Sequence, residues 1–143
     1  MRSIAKQILL AAAVVIGVTL AASAQQKSLY ERLGGQEAIT AVVDMFVDNV
    51  AADKRINTFF ANSDIPALKG KLVEQVCQAS GGPCTYTGRD MKTVHQGMGI
   101  TEADFNALVE DLTAALDHFK VPMPEKDELL GLLAPMKSDI VEG

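Results

Sequence analysis

From Gln36 to Ala52 the apolar residues Ile39, Val42, Val43, Phe46, Val47 and Val50 recur at steps of three and four. That spacing puts their side chains on one helical face and predicts a core helix over 36–52. The same period returns three times. Leu68, Leu72, Val73 and Val76 follow Asp64 and Pro66, an acceptor side chain and a proline that both suit a helix start. Phe105, Leu108, Val109, Leu112 and Leu116 follow the capping signal Thr101-Glu102-Ala103-Asp104 and predict a second long core helix. Beyond the breaks at Val121-Pro122 and Pro124, Leu129, Leu130, Leu132, Leu133, Met136 and Ile140 predict a last helix from Glu125 onward. Two elements are shorter. Ser28-Leu29-Tyr30-Glu31 has the spacing of a capping box, and Gly34-Gly35 ends that helix almost at once; Asp90 to Gln96 is cut short by Gly97 and Gly99. Ile56, Phe59 and Phe60 form an aromatic step, and Gly81-Gly82-Pro83 opens a loop to Gly88 in which Tyr86 is the only large side chain. Nothing alternates with period two, so an all-α fold is predicted.

The first 24 residues read differently. Arg2 and Lys6 form a positive head, Ile8 to Leu20 is an apolar run, and Ala22-Ser23-Ala24 is a small-x-small cleavage site, the pattern of a secretory signal peptide. The alternative is an uncleaved anchor, since the run approaches the roughly 20 residues that span a bilayer. A lipoprotein is excluded because no cysteine lies near the cut. The predicted organisation is therefore a signal peptide over 1–24 and one domain over 25–143, exported to the periplasm or secreted, with a mature chain that does not span a membrane.

With 143 residues, 48% of them hydrophobic, the chain is long enough to enclose a core or a buried cofactor. The formal net charge is −5, and no basic cluster could neutralise a run of phosphates, which excludes nucleic acid as a partner. Export would permit a disulfide between the only two cysteines, Cys77 and Cys84; the alternative is a buried apolar Cys77 and an exposed Cys84 thiol.

Candidate metal ligands are few. On residue type alone a lone histidine reads as structural or solvated, and His118, beside Asp117 and near Lys120, keeps that reading. His95 ends a short helix flanked by glycines and is the candidate ligand. Met91, His95 and Met98 also have the i, i+4, i+7 spacing of a soft site for cuprous copper, a geometry that needs the helix to continue through Gly97.

The order of motifs carries a resemblance. Leu29-Tyr30-Glu31-Arg32-Leu33-Gly34-Gly35, Phe59-Phe60, Gly81-Gly82-Pro83, Tyr86-Thr87-Gly88-Arg89-Asp90-Met91 and His95-Gln96-Gly97-Met98-Gly99-Ile100-Thr101 together resemble a truncated haemoglobin of the first group, over about Ser28 to Val141. The resemblance implies a two-over-two helical sandwich around one haem b, with His95 as the protein's bond to iron and its other ring N–H oriented by a nearby acceptor. It places Phe60 on the porphyrin face, Phe46 as an aromatic wedge on the gas-binding side, and Met91, Val94, Ile100 and Phe105 on the haem wall. Arg89 and Lys92 match positions that could pair with propionates.

The sequence departs from the family pattern on the gas-binding side. Where the family commonly has a tyrosine, this chain has Val47, and Leu68 and Leu72 stand where glutamine is common. Missing donors predict weakly held, quickly released dioxygen. Lys71 and Gln75 are the nearby polar residues; Lys71 could serve as a sixth iron ligand if neutral, or snorkel to a propionate as a cation. The implied function is binding of dioxygen, nitric oxide or carbon monoxide. Oxidation of nitric oxide would further require retained dioxygen and an unidentified electron donor. The alternatives are an envelope haem carrier or electron-transfer protein, and the copper module.

Overall fold

The structure is a computed structural model and describes Gly17 and residues 26–143. The segment 1–24 read as a signal peptide lies, apart from Gly17, outside the described residues. Among the described residues all regular structure is helical, and no helix is long and apolar enough to cross a membrane.

Ser28 opens helix α1 (Leu29–Leu33) with both bonds of a capping box: its hydroxyl accepts from Glu31 N–H at 3.2 Å and its own N–H donates to the Glu31 carboxylate at 3.0 Å. Gly34, at φ 104°, ends α1 and caps α2 (Gly35–Ala52) in the same step. A side chain there would be strained and would bring a Cβ to 2.9 Å from that of Ala38, which explains glycine at this corner. The corner is thus a change of direction between two helices with no intervening loop.

Helix α2 buries Ile39, Val43, Phe46, Val47 and Val50, the face read from the periodicity. It packs on α3 (Ile65–Ala79) and on α5 (Glu102–His118), so that the pair α2/α3 lies across the pair formed by α5 and α6 (Met123–Leu133). Each fully buried Val, Leu, Ile or Phe contributes about 1.5–3 kcal/mol of transfer free energy, which makes this shared face the main stabilising feature. A 3-10 turn, Asn57–Phe60, carries the aromatic step, and the short helix α4 (Met91–His95) starts at Asp90, whose carboxylate accepts from Thr93 N–H at 3.0 Å.

Two expectations change. The last helix starts at Met123, two residues early, because Pro122 caps it and Pro124 falls in the first turn, where a missing N–H costs nothing. It is also interrupted: Pro135 cannot continue the ladder, so a 3-10 turn (Ala134–Met136) leads into a separate α7 (Lys137–Ile140). Leu132, counted with the apolar residues of that helix, is 41% exposed. Cys77 and Cys84 are joined, with Cα atoms 5.7 Å apart, and fasten the end of α3 to the loop that leads to α4.

Candidate functional site

A cavity of about 1080 Å³ lies between the helix pairs, larger than the roughly 300–1,000 Å³ of ordinary small-molecule pockets. Its walls bring together residues remote in sequence. Phe46 and Val47 come from α2, Phe60 from the 3-10 turn, and Leu68, Lys71, Leu72 and Gln75 from α3. Met91, Val94 and His95 come from α4, and Ile100 and Phe105 from the entry to α5. Ile100 and Phe105 are buried together with Ile140, against Met91, Met98 and Met136.

The local geometry of His95 is specific. Its Nδ1 lies 2.8 Å from the carbonyl oxygen of Met91, one turn back in α4. A carbonyl only accepts, so Nδ1 carries the proton and the Nε2 lone pair is left free. Among the described residues no hydrogen bond engages Nε2, and the ring borders the cavity. Among the described residues there is also no group of three or more His, Cys, Asp or Glu side chains placed to hold a metal. A metal held through His95 would therefore take its other ligands from a cofactor. An apolar cavity of this size, with one oriented imidazole in its wall, fits haem.

Lys71 and Gln75, on the α3 wall, are engaged with other side chains. The Lys71 ammonium donates to the Thr87 hydroxyl and lies 3.6 Å from the Glu74 carboxylate. Thr87 in turn donates its backbone N–H to Glu74 at 3.0 Å, the main reason the Glu74 pKa lies below the usual value. The Gln75 amide faces the sulfur atoms of Met91 and Met136, each at 3.4 Å, on the α4 side of the cavity. Tyr86 donates its hydroxyl to Arg89 O at 2.6 Å and its backbone N–H to Gln78 Oε1 at 2.5 Å, which ties the loop at both ends of this residue. Arg89 borders the cavity and Lys92 is exposed. His118 is exposed against the edge of Phe119, 5.0 Å between ring centres.

The helical spacing read as a copper site is not carried by a continuous helix. Helix α4 ends at His95, Gln96 leaves the helical region, and Gly97 takes φ 82°, so the continuous helix that the i, i+4, i+7 spacing of Met91, His95 and Met98 requires is absent there. Sequence reasoning missed the contribution of Met136, which lies in the 3-10 turn and shares the Gln75 amide with Met91. It also missed the tie from Glu74 to Thr87, which joins residues 13 apart with no motif to mark it.

The bacterial-like globin family matches residues 28–142. The group 1 truncated haemoglobin GlbN of Mycolicibacterium paratuberculosis is 42% identical over 120 residues, 84% of this chain and 88% of that relative. Among solved structures, the truncated haemoglobin of Tetrahymena pyriformis in its Fe(III) form superimposes with a TM-score of 0.78 at 30% identity, over 82% of this chain and all of that one. The 2/2 haemoglobin of a Synechococcus species, solved in the cyanomet state with covalently attached haem, gives 0.76 at 32% identity over 80% and 98%. With fold, cavity and sequence in agreement, the chain belongs to the bacterial-like globins and, among them, to the group 1 truncated haemoglobins.

Proposed function

We propose that each chain binds one haem b in this cavity through His95 and takes small diatomic gases there, with dioxygen held weakly. The observation that carries the reading is the oriented imidazole: Nδ1 donates to Met91 O at 2.8 Å, leaving Nε2 to the cavity. Bound haem would supply an iron with a coordination position for a gas. The chain's own residues do the rest. Phe46 and Phe60 would hold the flat ring, and Met91, Val94, Ile100 and Phe105, which line the same cavity, would close its wall against water. Arg89, which also borders the cavity, would offer positive charge to the propionates.

Val47, Leu68 and Leu72 carry no donor for a gas on the opposite side. A hydrogen bond to a charged partner is worth about 1.5–3 kcal/mol, so their apolar character costs roughly ten- to a hundredfold in dioxygen retention. Nitric oxide and carbon monoxide depend less on such a donor. Turnover of nitric oxide with dioxygen would need both retention and an electron donor, so the reading stops at binding. The Lys71 ammonium, already placed on Thr87 and Glu74, is assigned to the rim and not to the metal. A ferric spectrum of high-spin, water-accessible iron is expected; a low-spin spectrum lost in Lys71→Ala would reverse that assignment.

The test of the gas reading is Val47→Tyr, which introduces a hydroxyl at the α2 wall. Stopped-flow dioxygen release should be fast in the parent chain and about ten- to a hundredfold slower in the variant. Slow release in the parent would contradict the reading. A closed site, as in a haem carrier or an electron-transfer protein, would instead fail to take carbon monoxide after reduction. We further propose that residues 1–24 direct export and are removed. The Cys77–Cys84 bond supports an oxidising compartment. The mass of the protein recovered from the cell envelope or medium tests this, an N-terminus at Gln25 being the expected result and Met1 the contrary one.

A further inference from the structure

The segment after His95 is a turn with little rigidity of its own. Helix α4 stops at His95, and Gly97 and Gly99 both sit in the left-handed region, at φ 82° and 68°. Nothing within 4 Å would meet a Cβ on either glycine, so at these two positions the backbone is not confined by neighbours. Within the turn, Met98 N–H donates to His95 O at 3.1 Å. What holds it from outside is the C-terminal end of the chain. The Glu142 carboxylate accepts from Gly97 N–H, and Glu142 N–H donates to Ile100 O at 2.9 Å. One residue thus grips both ends of the glycine turn. The grip is anchored behind, because Ile140 is buried with Ile100 and Phe105, Val141 N–H donates to Lys137 O at 2.9 Å, and α7 packs against α4.

We propose that Glu142 is a positioning residue for His95: by clamping the turn Gly97–Ile100 it fixes where α4 ends and so holds the imidazole at one orientation toward the metal. The proposal rests on the haem reading above. The bond from Nδ1 to Met91 sets the rotation of the ring about its own axis, and the clamp sets the placement of the helix end that carries the ring. Both are needed for one geometry. The side chain matters through its carboxylate oxygen, an acceptor for the Gly97 N–H, so glutamine retains that bond and alanine removes it, leaving only the backbone bond to Ile100 O.

The experiment compares the haem-loaded parent with E142A, E142Q and E102A. The last removes the 2.6 Å ion pair from Lys137 to Glu102 that also ties α7 to α5, without touching the turn. Resonance Raman of the ferrous, gas-free protein reads the iron–histidine stretch, and transfer of haemin to excess apomyoglobin reads how firmly the group is held. Expected are a lowered, broadened stretch and about tenfold faster transfer in E142A, with E142Q and E102A close to the parent. An E142A band and transfer rate equal to the parent's overturn the proposal. So does an E102A variant with the same changes as E142A, since that would make loosening of α7 the cause. Failure of the underlying reading is visible one step earlier, as a parent chain that takes up no haemin, and it removes this proposal with it.

Discussion

Val47, Leu68 and Leu72 line the cavity without a polar side chain among them, whereas Asp111 and Gly82 bear on how the chain holds together around it. Asp111 lies on α5 beside Asp53, the residue that ends α2. Burial first, and then the neighbouring Asp53, push the Asp111 carboxyl up to about 6, while the Arg55 guanidinium holds Asp53 well below the usual carboxylate range. With both ionised, Asp111 Oδ2 is buried without a donor; a proton on Asp111 restores a bond between the two carboxyls. The folded state therefore binds more protons than the unfolded one between about pH 4 and 6. Stability from Asp111 is full below that window and lost as pH rises through it, opposite in sign to Asp53, whose contribution is lost on acidification. Asp111→Asn should remove the first component, so Tm against pH is expected to show the variant gaining on the parent as pH rises from about 4 through 6. A constant difference across that range would contradict the assignment. Gly82 is a steric position: a Cβ would meet the Tyr30 ring at 2.5 Å and Cys77 Sγ at 2.7 Å. Gly82→Ala is expected to lower stability by about 1–3 kcal/mol in denaturant unfolding, as overpacking does.

Among the elements, those with a clear apolar period were legible in the sequence. Helices α2, α3 and α5 fall where the three- and four-residue spacing placed them, because burial of one face outweighs local preference. The end of the chain was less legible. Periodicity from Leu129 to Ile140 is indifferent to Pro135, and only a missing backbone donor divides that stretch into α6, a 3-10 turn and α7. Within the site, the glycines around His95 were visible as hinges, but the clamp on them was not, since a lone glutamate followed only by Gly143 carries no pattern. The disulfide was one of two readings, because spacing alone cannot say whether a loop will bring two thiols together. It closes a seven-residue separation, for which the chain-entropy argument gives about 2–3 kcal/mol. Reduction should lower unfolding free energy by that amount. An unchanged denaturation midpoint under reductant would mean that the tie from Lys71 and Glu74 to Thr87 already holds the loop.

At the scale of the whole molecule, two crossed helix pairs leave an apolar space of about 1080 Å³ with one histidine oriented at its wall. That arrangement, and membership of the group 1 truncated haemoglobins, account for why a chain with few titratable groups at its centre keeps so large a space there. The arrangement implies that much of the core is completed by the cofactor, so loading should raise Tm by mass action. The most direct test is titration of the cofactor-free chain with haemin, followed by dithionite reduction and carbon monoxide. The account predicts a Soret band that saturates at one haem per chain, shifts on addition of carbon monoxide, and is lost or sharply weakened in affinity in His95→Ala. A spectrum that never saturates, or one that His95→Ala leaves unchanged, would contradict it.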